Sequence, residues 1–280
     1  MVYDSDVREA TITGLETATS LTAYGAATPG AFVVPSTARK ITELRFQTAV
    51  NCADDTAFGW TSAFHIHGGG VVLAEGWFPG TVGSIEGIAA ASGSKYAWAE
   101  QKYLTNIPVN PGGQFTIDGF MLGEDIGAMH ALAEVTYDSP SAGKIVDMDY
   151  RSIDLTAANT LVQLTERGAA VVEGDMRPPY DTIGELFMGA GAKLTAAATT
   201  CVGLAFELSG PGLMYAGNYR YIGGESWGLN SEFGGQGVIH PLKRNICGIK
   251  VKRNNPIRVQ AQMIEADVGT AFSIMGFAYY

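Results

Sequence analysis

The sequence is short of charge, cysteine and histidine. Only 16% of its 280 residues are charged, against the usual quarter, while 46% are hydrophobic, and that balance excludes a disordered chain. Basic residues are scarcest: 18 Lys and Arg face 28 Asp and Glu, for a net charge of −10. Such a surface repels phosphate backbones, so no sequence-specific nucleic-acid binding is expected. The three cysteines, Cys52, Cys201 and Cys247, form no C-x-x-C pair, which removes zinc ribbons and disulfide frameworks and points to free thiols made in a reducing compartment. No apolar run is long enough for a transmembrane segment; the longest, Ala196 to Leu208, is interrupted by threonines. The acidic start Met1-Val2-Tyr3-Asp4-Ser5-Asp6 is no signal peptide, so synthesis in a cytoplasm is expected. There is no N-x-S/T sequon, no Walker loop and no G-x-G-x-x-G after a strand. Glycine, by contrast, is abundant at 36 residues, about twice the usual share, and lacks the three-residue period of collagen.

The glycines belong to an internal repeat. At a constant offset of 142, Ile41, Glu43 and Leu44 fall on Ile183, Glu185 and Leu186, and Ala63-Phe64 falls on Ala205-Phe206. Gly68 and Gly70 fall on Gly210 and Gly212, Ile107 and Val109 on Ile249 and Val251. Met121, Asp125, Gly127 and Tyr137 meet Met263, Asp267, Gly269 and Tyr279. The halves are expected to be two domains, 1–141 and 142–280, the first with an extended N-terminal segment. The first forty residues of each match less well.

Each half reads as β. Apolar and polar residues alternate with period two in Ile257 to Met263 and in Phe115 to Met121, as in half-buried strands. Leu44, Phe46, Thr48 and Val50 alternate in an early strand, and Ala131 to Tyr137 and Phe272 to Tyr279 close the halves. Gly, Pro and Asn clusters such as Gly68-Gly69-Gly70 and Asn110-Pro111-Gly112-Gly113 separate the runs. The expected class is therefore all-β, with two tandem, internally duplicated antiparallel β-sandwiches of jelly-roll type. The one helix expected is Lys95 to Leu104. The segment Val7 to Pro35, rich in Thr, Ala and Gly, is expected to run along a neighbouring surface.

Chemistry-bearing residues are few. In Gly59-Trp60-Thr61-Ser62-Ala63-Phe64-His65-Ile66-His67 the two histidines, two apart on a strand, share one face and could ligate one metal. The segment resembles the first cupin motif, and Gly127-Ala128-Met129-His130 resembles part of the second. That resemblance implies a metal-dependent enzyme using His65, His67 and His130, with Glu75 as fourth ligand. Glu75 stands further along than the motif requires, and the repeat puts Glu207, Ser209 and Phe272 at the three histidine positions. No metal-binding, cofactor-binding or catalytic residues are therefore expected. Gly224-Glu225-Ser226-Trp227-Gly228 matches a nucleophile elbow, but loop-like residues follow where a helix is needed. The acid pairs Asp54-Asp55 and Glu124-Asp125 read as turn residues. Trp77 and its repeat equivalent Tyr219, with Tyr215 and Tyr221, are candidates for a sugar-stacking platform or a protein contact.

The tandem of two similar sandwiches, few charges, many small residues and a closing strand Phe272 to Tyr280 resemble the double jelly-roll major capsid proteins of tailless icosahedral viruses. That resemblance implies a non-enzymatic virion protein, a self-assembling shell subunit whose homotrimer imitates a hexagon with six sandwiches. Its partners are then other copies and other virion proteins, and its location the virion. A phage head decoration or cement protein, the cupin-like enzyme and a carbohydrate-binding tandem are the alternatives.

Overall fold

The computed structural model describes residues 5–23, 30–52, 58–85, 95–123, 128–168, 171–193, 201–215, 218–227, 237–264 and 270–280. The acid pairs Asp54-Asp55 and Glu124-Asp125, together with Gly127, Asp267, Gly228 and Gly269, lie outside them. All regular structure among the described residues is β. The first ten strands are β1 (Ser5–Ile12), β2 (Thr19–Ser20), β3 (Thr22–Ala23), β4 (Phe32–Val33), β5 (Lys40–Cys52), β6 (Phe58–His67), β7 (Trp77–Ile85), β8 (Lys95–Pro108), β9 (Gln114–Gly123) and β10 (Ala128–Tyr137). The second ten are β11 (Asp147–Leu155), β12 (Leu161–Gln163), β13 (Glu166–Arg167), β14 (Val171–Val172), β15 (Thr182–Lys193), β16 (Cys201–Ser209), β17 (Tyr219–Trp227), β18 (Gly237–Lys250), β19 (Arg258–Ile264) and β20 (Thr270–Tyr279).

The strands pair into four sheets. Sheet 1 runs β3-β1-β10-β5-β8 and sheet 2 runs β2-β9-β6-β7, with β4 also beside β9. Sheet 3 runs β14-β13-β11-β20-β15-β18 and sheet 4 runs β12-β19-β16-β17. In each unit the first long strand pairs with the last, and most connections cross between sheets, hairpins such as β6–β7 and β16–β17 excepted, which is the jelly-roll winding. The repeat extends to irregularities. A bulge interrupts β5 between Ile41 and Glu43 and β15 between Ile183 and Glu185. Gly68 and Gly210 both take left-handed backbone, at φ 128° and 119°. A side chain at Gly68 would press on the Phe115 backbone, 2.8 Å from its Cβ position.

One expectation is corrected. Lys95 to Leu104 is not a helix but the first part of β8, paired with β5 along its length. Its Ala, Lys, Gln and Glu favour helix locally, yet pairing overrides propensity: Tyr103 is buried and the next residue, Leu104, is exposed, the alternation of a strand. The N-terminal segment begins with a strand of the first sandwich itself. β1 pairs with β10 over eight positions and completes sheet 1, as β11 completes sheet 3 beside β20. The weak sequence match over the first forty residues of each half concealed this equivalence.

Each sandwich has its own core. Phe46 stacks on Phe64 at 4.1 Å in the first, and Leu186, Phe206, Met263 and Phe277 centre the second. A third cluster joins them: Ala63, Val82, Phe120 and Leu122 of the first unit meet Tyr150, Phe272 and Ile274 of the second, flanked by Trp77 and Leu242. Phe187 adds its ring edge to Tyr103 at 5.0 Å. The outer face of sheet 2 is thus covered by the outer face of sheet 3.

This joint explains how the repeats diverged. On the outer face of sheet 1, Arg45, Gln47, His130 and Glu134 meet water; their equivalents on sheet 3 are Phe187, Gly189, Phe272 and Gly276. Gly276 is required by close approach, because a Cβ there would lie 2.4 Å from Pro79 Cγ. The pair Glu43–Lys102 (2.7 Å) has its counterpart in Glu185–Arg244, whose Nη2 donates to Oε1 at 2.8 Å. Burial pushes the Glu185 carboxyl up, but hydrogen bonds from Arg244 and Tyr280 outweigh it and hold it below its ordinary value of 4.5. Its contribution is complete above about pH 4.5 and is lost as pH falls through the lower folded value. Urea midpoints measured from about pH 6 to about pH 3 are expected to fall less steeply in Glu185→Gln than in the parent.

Candidate functional site

The ionisable side chains converge at the lip of the joint. Strand β11 carries Asp147, Asp149 and Arg151 on one face, and Met148 and Tyr150 on the other, and all five are buried. Tyr150 turns toward the first unit, where it meets the Trp77 ring edge-on at 5.9 Å. The Asp147 carboxylate crosses to the first unit and accepts from the backbone N–H groups of Ala74 (2.7 Å), Glu75 (3.0 Å) and Gly76 (2.9 Å). It also accepts from Met148 N–H at 2.8 Å and the Tyr180 hydroxyl at 3.2 Å. Burial nevertheless holds its carboxyl above the ordinary value, against those backbone donors.

Beside it lies an ionic cluster. Arg167 on β13 reaches Glu75 of the first unit at 2.6 Å, Asp149 at 2.9 Å and Glu173 at 2.8 Å. Arg151 donates to both Asp149 oxygens at 2.8 Å and approaches Glu173 at 3.6 Å. Two guanidinium groups therefore serve three carboxylates. The surplus shows at Glu75, whose carboxyl is raised by burial and by Asp149 despite Arg167. The Arg167 guanidinium also lies 5.4 Å from the Trp77 ring centre, a cation–π contact.

Trp77 leads on to the imidazoles. The His65 ring stacks on Trp77 at 3.9 Å and 4°, and on His67 at 4.7 Å. His67 Nε2 lies 2.8 Å from Asp118 Oδ2. Ser20 Oγ donates to Asp118 Oδ1 at 2.5 Å. Asp118 is the β9 residue directly across from His65. One donor atom from each of His65, His67 and Asp118 falls within 4.8 Å of the others. Burial and the neighbouring His67 push His65 down to about 4, against Asp118 and a hydrogen bond with the Glu75 backbone. His65 is thus neutral at pH 7.

Several sequence-marked residues part company here. His130 does not join His65 and His67: it lies on the solvent face of sheet 1 and contacts Thr11 Oγ1 at 2.9 Å, while the other two project from sheet 2. Glu75 is adjacent to the pair, but its carboxylate is held by Arg167. Trp77 is no open platform, since His65, Phe120 and Tyr150 surround it. Tyr219 and Tyr221 pack half-buried against the second core, and only Tyr215 is broadly exposed. Ser226 pairs with Val202 inside β17, not at a turn. Cys247 is a free, half-buried thiol.

No family model matches the sequence, and no curated protein matches it. Solved structures resemble it in general form. PNGF-II is 9% identical at TM-score 0.44, covering 99% of this chain, which spans 65% of PNGF-II's length. PNGase F, a glycosylasparaginase from Flavobacterium meningosepticum, is 10% identical at TM-score 0.37, with 96% of this chain and 95% of that one covered. A chain of the lipid-containing bacteriophage PM2 is 11% identical at TM-score 0.25, with 100% and 75% covered. Similarity at this level assigns no activity.

Sequence reasoning passed over Asp118, Asp147, Asp149, Arg151, Arg167 and Glu173. The signal for β11 was present: charges at alternate positions of a strand whose other face is apolar, directly after the link between units.

Proposed function

We propose that this chain is a non-enzymatic virion structural protein, a self-assembling capsid shell subunit that forms trimers. The observation that supports this is the pair of faces the joint leaves over. Within the chain, the outer face of sheet 2 is closed by the outer face of sheet 3. Their repeat equivalents, the outer faces of sheets 4 and 1, remain uncovered. Sheet 4 offers a recess of about 240 Å³ lined by Leu161, Glu207, Arg220 and Gln262. Sheet 1 offers one of about 170 Å³ lined by Val7, Arg45, Gln47 and Glu134.

Docking sheet 4 of one copy on sheet 1 of the next repeats the internal joint between molecules. Such a head-to-tail contact is heterologous, and it forms a ring when its rotation closes. Three copies place six similar sandwiches around such a ring. Both exposed faces mix charged and polar side chains with exposed apolar ones, Trp98 and Leu104 on sheet 1 and Leu161 and Ile264 on sheet 4, so the contact between copies is more polar than the joint within the chain. The ionic cluster at the joint fits a positioning role, with each of its carboxylates engaged by an arginine or by backbone N–H groups. No helix among the described residues is long and apolar enough to cross a membrane.

Light scattering and negative-stain microscopy on the full chain test the reading. The expected species has three times the 29.5 kDa chain mass, roughly 88 kDa, and a hexagonal outline. Arg220→Glu, at a largely exposed side chain of sheet 4 that pairs with Glu207, is expected to give folded monomers with a somewhat lowered melting temperature. A parent protein that is monomeric at all concentrations overturns the proposal.

A further inference from the structure

We propose that His65, His67 and Asp118 form a binding site for a divalent transition metal of the Zn²⁺ class at the lip of the joint. This does not depend on the shell reading.

His65 and His67 stand two apart on β6 and project from one face, while Asp118 faces His65 across the β6–β9 pair. Their donor atoms already lie within 4.8 Å of one another, and Zn²⁺ draws such atoms in to about 2.0–2.2 Å from itself. Each of two donors is oriented by a further group, as metal ligands generally are. Trp77, parallel to His65, fixes the plane of that ring. Ser20 holds Asp118 Oδ1, leaving Oδ2 for the ion. His67, with 45% of its side chain exposed, provides the approach from solvent.

Two imidazoles and one carboxylate suit Zn²⁺ and its neighbours rather than Mg²⁺ or Ca²⁺, which take oxygen donors. A tetrahedral ion keeps one position for water. Binding replaces the His67–Asp118 hydrogen bond with two bonds to the metal, His67 ligating as a neutral imidazole through an unprotonated nitrogen. Arg167, whose charge acts on His65, is engaged by Glu75, Asp149 and Glu173, so the surroundings tolerate a dication. The second unit carries Glu207, Ser209 and Gln260 at these positions, which limits the site to one per chain. The ion would tie β6 to β9 beside the second unit.

Calorimetric titration of Zn²⁺ into untagged, chelator-treated full-length protein tests this, with Mg²⁺ as the comparison ion. One Zn²⁺ per chain is expected, with binding at least about 100-fold weaker in the double variant His67→Gln/Asp118→Asn and no saturable Mg²⁺ binding. His130→Gln is expected to bind as the parent does. Both changed side chains lie at the rim, and circular dichroism confirms that the double variant folds; should it not, each single variant is titrated in its place. Equal Zn²⁺ affinity in folded parent and ligand variants overturns the proposal. So does the absence of Zn²⁺ binding by the parent at about millimolar ion, or loss of binding in His130→Gln.

Discussion

Replacing Asp147 by alanine is expected to lower the unfolding free energy by about 3–5 kcal/mol. The carboxylate is fully buried and accepts from three successive N–H groups of the other unit, at Ala74, Glu75 and Gly76. Each buried donor left without an acceptor costs about 1–3 kcal/mol, far more than a hydrogen bond contributes net. Asp147→Asn keeps one oxygen but turns an amide N–H₂ toward donors, so it is expected to lose about half as much. Tyr180→Phe removes only the 3.2 Å hydroxyl bond and is expected to cost less than about 1 kcal/mol. Urea denaturation at neutral pH ranks the three. A loss below about 1 kcal/mol in Asp147→Ala shows that the 74–76 turn finds other acceptors and that the clamp is dispensable.

Asp149→Ala is expected to cost about 3–5 kcal/mol for a different reason. Asp149 and Arg151 are almost fully buried, at 2% and 4% side-chain exposure. Removing the carboxylate leaves Arg151 with one longer approach to Glu173 at 3.6 Å and the Tyr150 carbonyl. The loss comes from a stranded charge, not from a forfeited attraction, and that distinction is measurable. The double change Asp149→Leu/Arg151→Met removes both charges and keeps apolar volume, so it is expected to cost less than Asp149→Ala alone. Additive costs across the cycle sink the argument and make the pair an ordinary contact.

Much of the fold was legible because strands announce themselves. Val259, Ala261 and Met263 alternate with Arg258, Gln260 and Gln262, and the burial follows the alternation. The constant 142-residue offset carried the second unit along with the first, down to the shared bulge before Glu43 and Glu185. Lys95 to Leu104 misled because its residues favour a helix until β5 supplies a partner. The N-terminal strand escaped because β1 is specified by its pairing with β10 and not by any periodicity of its own.

The candidate site was legible only as fragments. His65 and His67 stood out by spacing, but Asp118 enters through strand register, which no local pattern discloses. Arg167 and Glu75 meet across the joint from positions 92 residues apart. The strongest unread clue was the contrast between repeats. Arg45, Gln47 and Glu134 against Phe187, Gly189 and Gly276 marks which face of the second unit is dry.

The link between the units has a consequence for how strong their joint must be. Only residues 138–146 separate the end of β10 at Tyr137 from the start of β11 at Asp147. A tether of that length keeps the two faces at an effective concentration of about millimolar or above. Association within the chain therefore needs little affinity of its own. The same two faces meeting between separate molecules have no such advantage and compete only when the protein is concentrated or the link is cut. The polar contacts at the lip are thereby free to set orientation, because the covalent connection already secures proximity.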